Sequence, residues 1–343
     1  MEKILFLAHA EPGNGLAKAS LEVLTAAKSL AQQIPDAQWF VGFVGSSAQK
    51  CANEIAACGA SKFLAVTGAD FDVSRYATDA AAAEALCKAT GATLVIAPGT
   101  SRWMRTLPGV AQRLGGSVDT HVISLTATGG KLAVQRWFYR QRMEGSLTRQ
   151  QRPWVILVDP GTQPAWEGAP GTATVEQVTA ATTARTTLVG YREPAGDAKT
   201  LRPEAELLLV TGAGWTKKQA DGQPHVKEAE KLIADCLKLT RASLGSTKSL
   251  VDLGGEGQAV LSFLTHLNQV GQTGSTPRHR KGLATCCHGE EPHTVGWRFI
   301  TERRAVNLDP GCGWARGKAD VLYVADAFAV VSKLNELLSK SAS

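Results

Sequence analysis

The feature that most constrains this chain is an alternation that runs through residues 3–116. Short apolar runs of strand length, "KILFLAH", "WFVGFVG" (39–45), "KFLAV" and "ATLVIAPGT" (92–100), are separated by stretches of helical periodicity. In "LAKASLEVLTAAKSLAQQI", Leu21, Leu24, Ala27, Ala31 and Ile34 fall on one helical face. "SAQKCANEIAACG" and "TDAAAAEALCKATG" each end on glycine, the residue that closes a helix in the left-handed region. "WMRTLPGVAQRLGG" reads as a further helix with Pro108 near its start or at a kink. Strands separated by helices of about 10–15 residues predict a doubly wound, mainly parallel sheet, with its ligand edge at the carboxyl ends of the strands.

From about residue 121 the pattern changes. "THVISLTATGGKLAVQRWFYRQR" reads as two extended strands around Gly129-Gly130, and "PWVILVDPG" (153–161) as another strand. "TARTTLVGY" suggests an edge strand, and "REPAGDAKTLRP" is the best linker candidate. A second α/β pattern follows. "AELLLVTGAGW" (205–215) is a strand running into a glycine turn, and "HVKEAEKLIADCLKLT" is an amphipathic helix. "RRAVNLDPG" and "ADVLYVADAFAVVSKLNELL" supply a strand, then a strand and a terminal helix. The expected fold class is therefore α/β with two doubly wound domains: 1–190, a linker at 191–204, and 205–343. Two domains also suit a length of 343 residues.

Charge excludes some function classes. Residues 1–190 carry 17 basic and 14 acidic groups, and residues 191–343 carry 20 and 17. A surplus of three in each half argues against a nucleic-acid binder, which concentrates its charge. Seven cysteines without a regular framework point to a reducing compartment. "MEKILFLAHAEPG" reads as a first strand rather than a signal peptide, and no run approaches the roughly 20 apolar residues of a membrane span. The expected location is the cytoplasm, without membrane insertion. The segment "RWFYRQRMEGSLTRQQR" carries five arginines and three large aromatics; it reads as a solvated face or as a docking surface.

Taken alone, the turn at Gly212 is an ordinary strand-to-helix turn or a ligand loop. Order and spacing add to it. "GSTKSLVDLG" (245–254), "NQVGQTG" (268–274), "CCHGEEPH" (286–293), "VNLDPG" (306–311) and "ADVLYVADAFAVV" follow in series. This series resembles the FAD domain of the electron transfer flavoprotein alpha subunit, and the first half resembles that family's first domain. Q-V-G-Q-T-G is the one motif kept whole, as Gln269, Val270, Gly271, Gln272, Thr273 and Gly274. The resemblance implies that Thr273 lies near flavin N5, with Gln272 its polar neighbour. It also implies that His293 lies at the pyrimidine edge, where a protonated imidazole would favour an anionic, one-electron-reduced flavin. Asn307 would lie on the adenosine side, and Asp326 matches the acid of the family's V-x-D-L. Gly212, His288, Gly289 and Asp309 complete the implied FAD-binding set. Without the resemblance, Thr273 closes a turn, His293 is a structural histidine, and Asn307 with Asp309 forms an Asx turn before Pro310.

Several departures bear on the site. Lys248 stands where the family has an arginine that lies against the flavin, which keeps charge but loses a stacking plane. Ala213 replaces another arginine, and residues 254–268 are longer than the family's loop. Glu290 and Glu291 fall where a helix N-terminus would face cofactor phosphates; two uncompensated carboxylates there would repel them. Cys286, Cys287, His288, His293 and Cys312 are potential metal ligands, but adjacent cysteines rarely share one ion and no CxxC pair exists. A Cys-His nucleophilic pair is weaker still. An adenine-nucleotide hydrolase is disfavoured because "AHAEPGNG" lacks P-loop spacing.

The resemblance implies an alpha subunit in a heterodimer with a beta-type partner, and it allows AMP in that partner. The chain would carry FAD and relay electrons from a flavin dehydrogenase, without an organic substrate of its own. The alternative is a docking or structural subunit of a larger dehydrogenase complex with a weakened or lost flavin site.

Overall fold

The computed structural model describes residues 1–129, 131–139, 143–181, 185–190, 202, 205–252, 259–270, 279–285, 297, 300–312, 315 and 319–341. The chain divides into two compact units, Met1–Tyr191 and Arg192–Ser343.

In the first unit, β1 (Lys3–His9), α1 (Lys18–Gln33), β2 (Gln38–Val44), α2 (Ala48–Glu54) and β3 (Lys62–Val66) form one wing. A four-residue helix α3 (Ala69–Asp72) and then α4 (Tyr76–Thr90) lead back across the sheet to β4 (Leu94–Pro98) and α5 (Ser101–Arg113). The long β5 (Ser117–Thr128), β6 (Lys131–Phe138) and β7 (Met143–Leu147) form an antiparallel excursion before β8 (Trp154–Val158) and β9 (Val175–Gln177). The spatial order is β7-β6-β5-β8-β4-β1-β2-β3-β9. β1 pairs in parallel with β2 on one side and β4 on the other, so the winding reverses there.

The interior of β1 and all of β4 and β8 are buried, because helices cover both faces of the sheet. One face packs Leu24, Ala27 and Leu30 of α1 against Ile4, Phe6 and Ile96. The other packs Leu86 of α4 and Trp103 and Leu107 of α5 against Leu5, Leu7 and Val95. Each fully buried Leu, Ile or Phe stabilises by roughly 1.5–3 kcal/mol. The helical face expected for α1 is the one that packs, with Leu21 and Ala31 at its margin. Gly91 closes α4 with φ of 59°, whereas α2 stops at Glu54 and Gly59, with φ of 84°, closes a separate 3₁₀ turn, Ala56–Cys58.

One sequence expectation is corrected. Of "TARTTLVGY", residues 185–190 form no strand; the edge strand is Val175–Gln177, which pairs with β3. The arginine-rich segment is also clarified. Arg136 and Arg149 both donate to the buried carboxylate of Asp119, which takes a further bond from Trp154 Nε1. Arg152 pairs with Glu2 at 2.6 Å. Three of the five arginines thus serve the fold, and Arg140 and Arg142 lie outside the described residues.

The second unit holds β10 (Leu207–Thr211), α6 (Val226–Thr240), β11 (Ser243–Ser246), a short α7 (Lys248–Asp252), β12 (Lys281–Thr285), β13 (Glu302–Asn307), β14 (Val321–Val324) and α8 (Ala327–Ser341). The order is β11-β10-β12-β13-β14, and every pairing is parallel. Ile233 and Cys236 of α6 and Ala327 and Val331 of α8 cover one face with Leu209, Leu244 and Val306. Trp297 and Ile300 pack on the other with Leu208, Val210 and Ala284. Cys51, Cys58, Cys87, Cys236 and Cys312 are free thiols, all buried. Burial pushes the Cys51 and Cys87 thiols up to about 11 and about 12. Among the described residues, no helix is long and apolar enough to cross a membrane.

Candidate functional site

A parallel sheet gathers the carboxyl ends of its strands on one edge, where loops leave the core and ligands can approach. In the second unit that edge is formed by Thr211, Ser246, Thr285, Asn307 and Val324, the last residues of the five strands. Seven of the residues expected to hold a cofactor are described, and all seven leave or adjoin these strand ends.

Gly212 follows β10 and donates its N–H to the Thr285 carbonyl at 2.9 Å. The turn enters one 3₁₀ turn, Ala213–Thr216, and not a long helix; α6 begins only at Val226. The reason is Trp215. Its ring is fully buried, lies 4.6 Å from the Phe328 ring, and donates Nε1 to Thr285 Oγ1 at 2.9 Å. The tryptophan draws the turn into the core.

Past β11, Thr247 caps α7 by accepting the Leu250 N–H. Lys248 begins that helix with its side chain 67% exposed and its ammonium 3.9 Å from Asp252. Gln269 bridges in parallel to Ser246, and the Val270 N–H donates to the Ser246 carbonyl at 3.0 Å. The first two residues of Q-V-G-Q-T-G are therefore pinned beside the end of β11, with Val270 buried against Gly245. Gly271, Gln272, Thr273, Gly274, His288, Gly289 and His293 lie outside the described residues, as do Cys286, Cys287, Glu290 and Glu291.

At the end of β13, Asn307 Oδ1 accepts from the Asp309 N–H at 3.0 Å, and Asp309 Oδ1 accepts from the Gly311 N–H at 2.7 Å. These are successive Asx turns around Pro310. Asp326 follows β14 and accepts the Ala329 N–H at 3.0 Å, capping α8. The carboxylates of Asp309 and Asp326 thus serve the backbone.

The donor set suits a polar dinucleotide. The Ser246 hydroxyl is buried at the end of β11 and has no hydrogen-bond partner among the described residues, whereas those of Thr211 and Thr285 are committed to main-chain carbonyls. An orphaned buried hydroxyl at a strand's carboxyl end is a group that a ligand would satisfy. Lys248 adds a cation, and Gln269 and Asn307 add carboxamides. Among the described residues, no three of His, Cys, Asp and Glu gather into a metal site.

The first unit has a second concavity, missed in the sequence. A crevice of 490 Å³ opens where β1 and β4 diverge, lined in part by His9, Asn14, Ser20, Thr100 and Arg102. The His9 ring stacks on Trp103 with centroids 3.7 Å apart, and its Nε2 stands 3.7 Å from Asp79 Oδ1. Arg102 donates to both oxygens of Asp79, at 2.7 and 2.9 Å. Burial, reinforced by the Arg102 charge and only partly opposed by Asp79, pulls His9 down to about 4. Burial alone would push Asp79 up, but His9 and Arg102 hold it below the usual carboxylate range. The sequence signal was a polar residue at the end of a buried strand, paired with an aspartate inside an alanine-rich helix.

The family described as "Electron transfer flavoprotein domain" matches residues 4–183, slightly more than half of the chain and nearly all of the first unit.

Proposed function

Because this chain belongs to the electron transfer flavoprotein domain family, we propose that it is the alpha-type subunit of such a carrier, with FAD on the carboxyl edge of its second sheet. The observation that carries the reading is the convergence of the motif series. Gly212, Lys248, Gln269–Val270, Asn307–Asp309 and Asp326 sit at or beside the ends of neighbouring parallel strands. Such an edge is where a doubly wound sheet receives a nucleotide.

In this reading Lys248 offsets anionic charge on the ligand. The Ser246 hydroxyl finds its missing partner there, and the carboxamides of Gln269 and Asn307 orient polar groups of the dinucleotide. The Asx turns at Asn307–Gly311 fix one wall of the site, and the Asp326 cap fixes the start of the helix after the neighbouring strand. Bound FAD would supply the electron-transfer chemistry, and the protein would position and tune it. A beta-type subunit would close the site, with AMP as its own possible cargo. A flavin dehydrogenase would donate the electrons, and the chain would have no organic substrate of its own.

The experiment is co-expression with a beta-type subunit, followed by a visible spectrum of the purified heterodimer. Flavin bands near about 370 and 450 nm are expected, with FAD identified by mass after extraction. A colourless heterodimer overturns the reading.

A second reading is a docking subunit with a weakened flavin site. It is favoured by the commitment of Asp309 and Asp326 to backbone bonds and by the exposure of Lys248, with Glu290 and Glu291 in the sequence. If those two carboxylates face the ligand, Glu290→Ala with Glu291→Ala tightens FAD binding markedly in calorimetry. Little change supports carboxylates turned away.

A further inference from the structure

Four arginines line one groove on the first unit. Its volume is 580 Å³, and its walls include Arg75, Tyr76, Arg105, Arg113 and Arg185, with no carboxylate among them. Arg105 and Arg113 lie eight residues apart on α5, with Gly109 midway, so the three share one helical face. Gly109 makes room: a Cβ there would stand within 3.0 Å of the Tyr76 ring carbon Cζ and closer still to its hydroxyl. Tyr76, 41% exposed, therefore rests against α5 with the Arg113 guanidinium 5.6 Å from its ring centre. Arg75 holds the far wall by donating to the Thr186 carbonyl at 3.2 Å.

The charges are not neutralised. Arg75 pairs with Asp70 at 2.6 Å, and Arg113 stands 3.5 Å from Glu84, which Lys88 also engages. Among the described residues, Arg105 donates to the Ser74 hydroxyl and to no carboxylate, and Arg185 has no carboxylate partner. Arg105 and Arg185 thus bring two positive charges that no carboxylate among the described residues offsets. Arginine and tyrosine are also the residues that anchor protein interfaces most often.

We infer that this groove docks an acidic, extended segment of a partner protein. Spacing selects the occupant. Eight residues of α-helix separate the Arg105 and Arg113 backbones by about 12 Å, and their guanidinium groups go to different partners, Ser74 for one and the Tyr76 ring and Glu84 for the other. In an extended chain, carboxylates four residues apart are about 13 Å apart and project on the same side. Apolar residues between them would face away from or lie against Tyr76 and Leu188. A bilayer surface is flat and reaches projecting groups rather than a recessed groove.

The test uses the full chain and a fluorescein-labelled decapeptide of alternating Glu and Leu, followed by anisotropy. Saturable binding that weakens as salt rises from about 50 to 200 mM is expected. Arg105→Glu with Arg185→Glu weakens it by at least about tenfold, and Arg105→Gln with Arg185→Gln weakens it less, in the same direction. Lys131→Glu with Lys227→Glu, the same charge change elsewhere, alters affinity by less than about twofold. Absence of peptide binding overturns the inference. So does an equal loss in the lysine variant, which would mean a non-specific charge effect. Full displacement by about 1 mM inorganic phosphate also overturns it, since it would mean a small-anion site. No arm depends on flavin, so the outcome is separate from that of the cofactor reading.

Discussion

His9 is neutral where most surface histidines would begin to charge. Its folded value of about 4 lies well below the ordinary value of 6.5, so between these limits the unfolded chain binds the extra proton. Stability is complete above about pH 6.5 and falls as the pH drops toward 4, by roughly 3 kcal/mol for a shift of this size. Asp79, whose value is depressed, adds stability that is lost only at still lower pH. His9→Gln should therefore flatten the fall in melting temperature between pH 6.5 and 4 relative to the wild type. An unchanged pH profile would mean that the ring charges freely in the fold. This cluster was hard to read in the sequence because His9, Asp79 and Arg102 are far apart in the chain and meet only through the winding of the sheet. Asn307 was more legible. The Asx turn before Pro310 was one of two readings open from local chemistry alone, and it is the geometry found.

At the scale of elements, segments with a continuous apolar run or a helical period were legible, and those without one were not. α1, α4 and α6 follow their apolar spacing, and β1, β2 and β4 follow their apolar runs. β12, "KGLAT", gave no strand signal although it lies between β10 and β13. Its Gly282 is small because Trp297 and Ile300 press against it, so packing demanded the residues that make a strand look weak. The glycine turn at 212 failed to open a helix for a related reason: Trp215 had a core position to fill. Caps are read more easily, since an Asp before an apolar helical run has a local function. Asp326→Ala should lower stability by about 1 kcal/mol through loss of the cap, measured by denaturant unfolding. Asp326→Asn should recover most of it. Loss of flavin from the Ala variant at unchanged stability would instead place Asp326 at the ligand.

For the molecule as a whole, the family match and the expected cofactor residues fall in different units. The matched residues 4–183 lie in the first unit, and the strand-end residues lie in the second. A fragment of residues 1–191 has a complete sheet with apolar clusters on both faces. It should fold alone, with one cooperative thermal transition and native-like circular dichroism. It should also hold no flavin when expressed with a beta-type subunit. A fragment that is unfolded in isolation would show that the first unit depends on the rest of the chain.

The sealed thiols make the protein its own chronometer. Cys51, Cys58 and Cys87 lie in the first unit, Cys236 and Cys312 in the second, and each must be uncovered before it meets a reagent. Alkylation with a maleimide, followed by peptide mass mapping, should therefore label these five only as fast as each unit opens. The two sets of rates would time the breathing of each half separately, in one tube and without an introduced probe. A partner or flavin that steadies only one half would slow only that half's clock.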